Sequence, residues 1–223
     1  LTKINLKPFG GGPNSVVALQ GFVAVAIEDS TKMGNGRVVF FDKDGVLVNS
    51  VEVGNLPDNL VLSPDGKKLL TANEGEPSTD YLIDPEGSVS IINVEPGVLN
   101  LTQANVATLD FQAFNGTEAA LRAQGGRVFG PGSTLAQDIE PEYIAISDDS
   151  KTAWVTCQEN NAIAVVDLEN FQIQSLTGLG LKDWSASSLD ASDRPAGIFS
   201  HNWPIKGVFM PDAIDFFSVG GQN

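Results

Sequence analysis

The side chains with the clearest chemical pattern are three glutamates. Glu28 closes the apolar run Phe22–Ile27, Glu74 follows Leu69–Asn73, and Glu159 follows Trp154–Gln158. Each comes at the end of the second strand-like run of a repeated unit, so closing such units into a ring would bring the three toward one end of a central channel. Converging carboxylates repel unless a proton or a cation relieves them, and an all-oxygen donor set suits Ca²⁺ or Mg²⁺. Solvated loop acids, or acids that cap turns by accepting backbone N–H groups, would give the same spacing. The loop after Glu74 adds Glu76 and Asp80, with Asp84 and Glu86 close behind. These five acids lack the Asp-x-Asp-x-Asp-Gly order and closing Glu of an EF-hand loop. Calcium at Glu76 and Asp80 is therefore an expectation from charge density alone.

Other chemistry is sparse. His201 is the only histidine, and no Gly-x-Ser-x-Gly elbow accompanies it. A metal-dependent phosphatase would have carboxylates to draw on but a single imidazole. No P-loop, dinucleotide fingerprint or Cys/His zinc spacing occurs. The lone Cys157 lies within an apolar run and reads as a small buried side chain, with no partner for an internal disulfide. With 28 acidic against 13 basic residues the chain carries a formal charge of −15. That argues against a nucleic-acid surface, which draws on Lys and Arg, and fits an acidic extracellular protein or a cation binder equally well. No apolar run approaches the roughly 20 residues that span a bilayer. The chain begins at Leu1 rather than Met, so the expectation is that any signal peptide has already been removed.

The elements that must position these acids repeat. Leu60–Ser63, a Pro64-Asp65-Gly66 turn, Lys68–Ala72 and, after a polar loop, Ser88–Val94 read as an antiparallel meander. The block returns as Tyr143–Ser147, Asp148-Asp149-Ser150, Thr152–Thr156 and Ala162–Asp167. An earlier copy starts at Pro13, after a flexible Gly10-Gly11-Gly12 lead-in, and shows four strands as far as Val53. Anchor prolines fall at 13, 57, 141 and 211, at intervals of 44, 84 and 70 residues. The first interval matches a four-stranded propeller blade. The expectation is an all-β propeller with blades at 13–56, 57–140 and 141–210 and the start of a fourth at 211–223. Insertions are expected at 99–139 and 182–207, the first with a short helix after Thr117 that stops at Gly125. Three blades and a fraction do not make a ring of the usual four to eight. The chain is therefore expected to be the front of a longer propeller, with open edges.

The strings Thr71–Pro77, Asp84–Ile92, Gln158–Asp167 and Leu189–Asp193, with Gly11–Ser15 and Asn202–Gly207 near the two ends, resemble the choice-of-anchor I family. These are secreted bacterial β-propellers of YVTN/WD40-like blades, related to mesenchyme-specific cell-surface glycoproteins. The resemblance implies an exported, periplasmic or cell-surface protein. It also implies an alkaline-phosphatase-like label, with some relatives fused to a metallophosphatase or nucleotidase domain. Arg194-Pro195-Ala196-Gly197 departs from the acidic and glycine residues that relatives carry there, so the resemblance gives that loop no ligand role. Two functions stay open. One is a binding or structural module for a surface polymer, a protein partner or an ion such as Ca²⁺. The other is a Ca²⁺-dependent phosphoesterase.

Overall fold

Tight turns convert the apolar runs into meanders. In Ser63-Pro64-Asp65-Gly66 the Gly66 N–H donates to Ser63 O at 2.8 Å, with Gly66 at φ +72°. Asp65 Oδ1 accepts from Ser63 Oγ at 2.6 Å and Lys67 N at 3.1 Å. The turn at Ser147–Ser150 repeats this: Ser150 N–H reaches Ser147 O at 2.8 Å, and Asp149 Oδ1 accepts from Ser147 Oγ at 2.7 Å. Ser150 takes the glycine's place at φ +59°, a left-handed conformation that L-residues resist. Its hydroxyl accepts from Asp65 N at 3.1 Å, which ties the two turns together.

The computed structural model describes residues 3–194 and 196–219. Three four-stranded antiparallel sheets follow one another, each in sequential strand order. The first is β1 (Pro13–Leu19), β2 (Phe22–Ile27), β3 (Asn35–Asp42) and β4 (Leu47–Asn55). The second is β5 (Pro57–Leu62), β6 (Lys68–Asn73), β7 (Ser88–Asn93) and β8 (Val106–Asp110). The third is β9 (Tyr143–Ile146), β10 (Thr152–Cys157), β11 (Ala162–Asp167) and β12 (Gln172–Gly178). These are propeller blades. Their first strands lie side by side, β1 against β5 and β5 against β9, and among the described residues the sheets do not close into a ring. No helix among the described residues is long and apolar enough to cross a membrane.

Period-two alternation buries both faces of the central strands. In β6, Leu69 points into the core shared with the first blade, beside Val38, Phe40 and Val53. Its neighbours Leu70 and Ala72 point the other way, onto Ile144, Val155 and Val166 of the third blade. A repeated polar stitch joins the blades at their inner strands. Ser15 Oγ accepts from Leu60 N at 3.1 Å, and one blade later Asn59 Oδ1 accepts from Ile144 N at 3.2 Å. The outer face of the first blade, with Ile27 and Phe41, is covered by Leu6 and Phe9.

Two expectations are corrected here. The segment 99–139 is not wholly an insertion, because it supplies β8, the fourth strand of its blade, paired from Ile92↔Val106 to Ser88↔Asp110. Only the part after Asp110 is an excursion, with short helices α1 (Glu118–Ala123) and α2 (Leu135–Asp138) packing Leu121 and Leu135 onto the core. Thr117 is the N-cap residue of α1, but its side chain makes no cap hydrogen bond and its hydroxyl donates back to Phe114 O at 2.7 Å. The glycines before Pro13 are a close contact rather than a flexible lead-in. Gly11 N–H donates to Glu28 O at 2.8 Å, and a Cβ on Gly11 would stand 2.7 Å from Glu28 Cγ.

The segment 182–207 folds into two small two-stranded pieces, β13 (Lys182–Asp183) with β16 (Lys206–Gly207) and β14 (Ser188–Asp190) with β15 (Ser200–Asn202). After it, the chain from Pro211 runs beside the third blade, where Phe216 stacks on Trp154 with ring centroids 5.4 Å apart. Pro195, and the Gly220 and Gly221 expected to extend a fourth blade, lie outside the described residues.

Candidate functional site

The ends of β6 and β10, the residues leading into β9 and the loop from Glu76 to Tyr81 enclose a cleft of about 460 Å³. Its walls carry Glu74, Glu76, Glu140, Glu142 and Glu159, with Tyr81, Phe129 and Gln158 among them. Backbone hydrogen bonds hold two of these acids in place. Glu74 N–H donates to Leu56 O at 3.0 Å, and Glu142 N–H to Thr156 O at 2.8 Å. Asn160, fully buried, is the hub of the far wall. Its Oδ1 accepts from Glu140 N at 3.0 Å, and its Nδ2 donates to Arg127 O at 3.2 Å and Asp138 O at 2.6 Å.

Burial and mutual repulsion make the cleft proton-rich. Burial, and after it the charges of Asp58, Glu140, Glu142 and Glu76, pushes the Glu74 carboxyl up to about 8. Glu140 rises to about 7, through burial first and then Glu159 and Glu76. Glu142 also rises to about 7, through burial and then Asp212 and Asp58. Asp58 itself is raised by burial and by Asp212. Near neutral pH the cleft therefore retains protons that ordinary carboxylates would have lost. Gln158, in the amide orientation that satisfies both partners, donates to Glu142 Oε2 at 2.8 Å.

The residues singled out from the sequence separate. Glu74, Glu76 and Glu159 line the cleft, and Glu28 and Asp80 do not. Glu28 is turned to its own blade, where Oε1 accepts from Gly12 N at 2.9 Å and Oε2 lies 3.7 Å from Lys32 Nζ. Asp80 closes a local turn, accepting from Ser78 Oγ at 2.7 Å and Leu82 N at 3.1 Å, and the Ser78 hydroxyl holds its pKa below the usual range.

Strand register corrects the recurrence itself. Ser15 pairs with Ala26, Asn59 with Ala72 and Tyr143 with Thr156, so the equivalent of Glu28 and Glu74 in the third blade is Gln158, and Glu159 is one residue further on. Among the described residues no three His, Cys, Asp or Glu side chains are arranged to hold a metal ion. His201 is exposed on β15, its ring 6.1 Å from that of Trp203.

Glu140 and Glu142 are the acids that sequence reading passed over. They flank the anchor Pro141, and a signal was present: the residue after each anchor proline is Asn14, Asp58, Glu142 and Asp212. Three of these four are acids, and in space those three lie close enough for their charges to repel.

Solved structures similar to this chain include hydrazine synthase of Kuenenia stuttgartiensis, at 17% identity over 71% of this chain and 40% of that one, TM-score 0.47. A functionally unknown protein from Desulfotomaculum acetoxidans is 14% identical over 76% and 43%, TM-score 0.47. The Cps50 (Swd1) β-propeller domain of Myceliophteria thermophila is 9% identical over 74% and 43%, TM-score 0.46. The chain thus spans well under half the length of these structures. No curated protein matches it significantly. The model of the choice-of-anchor I domain matches residues 1–223, the whole chain, and the protein belongs to that family.

Proposed function

We propose that this chain is a binding module of an exported or cell-surface propeller, and that the acid cleft is where it takes a cationic ligand. The observation that carries this reading is the set Glu74, Glu140 and Glu142, three part-buried carboxylates on one cleft, each with its pKa raised. A cation entering the cleft would relieve their repulsion and displace the retained protons. The donors are all oxygen, which suits calcium. Because no three of the described acids stand at metal-holding spacing, the cation would keep part of its water shell and meet the carboxylates partly through it.

The test is thermal melting of the protein at pH 7.5 in calcium chloride and in sodium chloride of equal ionic strength. Calcium should raise Tm in proportion to the logarithm of its concentration above the dissociation constant, corresponding to about 2.7 kcal/mol at a hundredfold excess. Sodium only screens and should raise it far less at equal ionic strength. The rise should shrink at pH 6, where protons compete, and be lost in Glu142→Gln. Identical responses to the two salts would end this reading.

A further inference from the structure

A cation that belongs to the chain stands against one wall of the acid cleft. Arg127 stands on the excursion between the second and third blades, just after Gly125 and Gly126. Its Nη1 donates to Glu159 O at 3.0 Å and lies 3.4 Å from Glu159 Oε2. Its guanidinium carbon sits 4.6 Å from the centre of the Phe129 ring. Glu159 and Phe129 both line the cleft. Among the described residues Arg127 is the one basic side chain within 4.0 Å of a carboxylate lining it. We infer that Arg127 is a tethered counter-ion, which occupies the Glu159 end of the cleft and competes with any cation that enters from solution.

Two further features support a competitor rather than a fixed strut. The pair is open to water, with side chains 38% and 42% exposed, so screening keeps the contact weak and displaceable. The backbone of Arg127 is held independently of its side chain. Its N–H donates to Asn160 O at 2.8 Å, and its carbonyl accepts from Asn160 Nδ2 at 3.2 Å. The guanidinium can therefore swing away while the loop stays docked on the third blade. A planar cation over an aromatic face, with a carboxylate at its edge, is also the arrangement in which Arg is better suited than Lys.

This inference rests on the cleft being a cation site, and the experiment separates the two. Calcium affinity is measured by isothermal titration at pH 7.5 for the wild type, Arg127→Gln, Arg127→Lys and Arg122→Gln. Arg122 removes an equal charge from helix α1, where it donates to Val128 O at 3.0 Å and touches no cleft carboxylate. Arg127→Gln should bind calcium roughly two- to fivefold more tightly, the range that one exposed ion pair commands. Arg127→Lys should fall between Arg127→Gln and the wild type, and Arg122→Gln should match the wild type. Adding Glu159→Gln to Arg127→Gln should abolish the gain. Binding that is equal in the wild type and Arg127→Gln overturns the counter-ion and leaves the cation site standing. A gain of equal size in Arg122→Gln also overturns it, because bulk charge would then explain the effect. No binding by any variant overturns both readings.

Discussion

Glu28 and Glu74 occupy the same register position in successive blades, one residue past the second strand, yet their surroundings are opposite in character. Glu28 meets donors: the Gly12 N–H at 2.9 Å and, more loosely, the Lys32 ammonium at 3.7 Å. Glu74 meets acids, with Asp58, Glu140, Glu142 and Glu76 all raising its pKa after burial has done so. A repeat fixes where the backbone goes. What a repeated side chain meets is set by non-equivalent neighbours, here the Gly11-Gly12 approach on one side and the Glu140-Pro141-Glu142 corner on the other. The same glutamate is a structural acceptor in one blade and a proton-holding acid in the next.

The comparison breaks most visibly at Glu74. Its folded pKa is raised from an ordinary 4.5 to about 8, so between those values the native state binds more protons than the unfolded one. Its contribution to stability is full below about pH 4.5 and is lost as pH rises through 8. Glu74→Gln should therefore stabilise the protein at pH 8 by on the order of 3 kcal/mol and change little at pH 5. Urea unfolding at the two pH values measures this, and a destabilised variant at pH 8 would contradict the placement of Glu74 among acids.

At Glu28 the sign should reverse. Glu28→Ala leaves the Gly12 N–H without its partner and should cost about 1–2 kcal/mol by the same unfolding assay. A variant as stable as the wild type would mean the two glutamates are not opposed in the way described. Smallest of all is Lys32→Ala, which removes the ammonium, 60% exposed and 3.7 Å from Glu28. Loss of an ion pair that water screens so well should cost about 0.5 kcal/mol or less, and a larger loss would shift the weight of Glu28's role from its hydrogen bond to its charge.

Much of the fold was legible because blade architecture is local. Turn chemistry at Asp65-Gly66 and strand periodicity at Lys68–Asn73 lie within a few residues of each other, and the meander needs only neighbours in sequence. The missed strand β8 shows the limit. Val106–Asp110 is an outer strand with Thr108 and Asp110 exposed, and its partner β7 ends 13 residues earlier, beyond a loop with two 3₁₀ turns. Its alternation is short and half-polar, and only the docked sheet shows that it pairs.

The candidate site was half legible. Glu74, Glu76 and Glu159 were found as acids on or after strand ends, but Glu140 and Glu142, on either side of the anchor Pro141, were not singled out. The acid after each anchor was visible in the sequence, yet its meaning depends on how adjacent blades bring Asp58, Glu142 and Asp212 together.

The sequence by itself determined the blade meander, the strong negative charge and the family, because hydrophobic period, turn residues and composition act over short distances or over the whole chain at once. Only the tertiary structure decided which acids meet. It turned Glu28 to Gly12 and Asp80 to its own turn, gathered Glu74, Glu140 and Glu142 on one cleft, and set Arg127 beside Glu159. The energy of a carboxylate depends on burial and on charges a few ångströms away in space, and neither quantity is written in the spacing of residues along the chain.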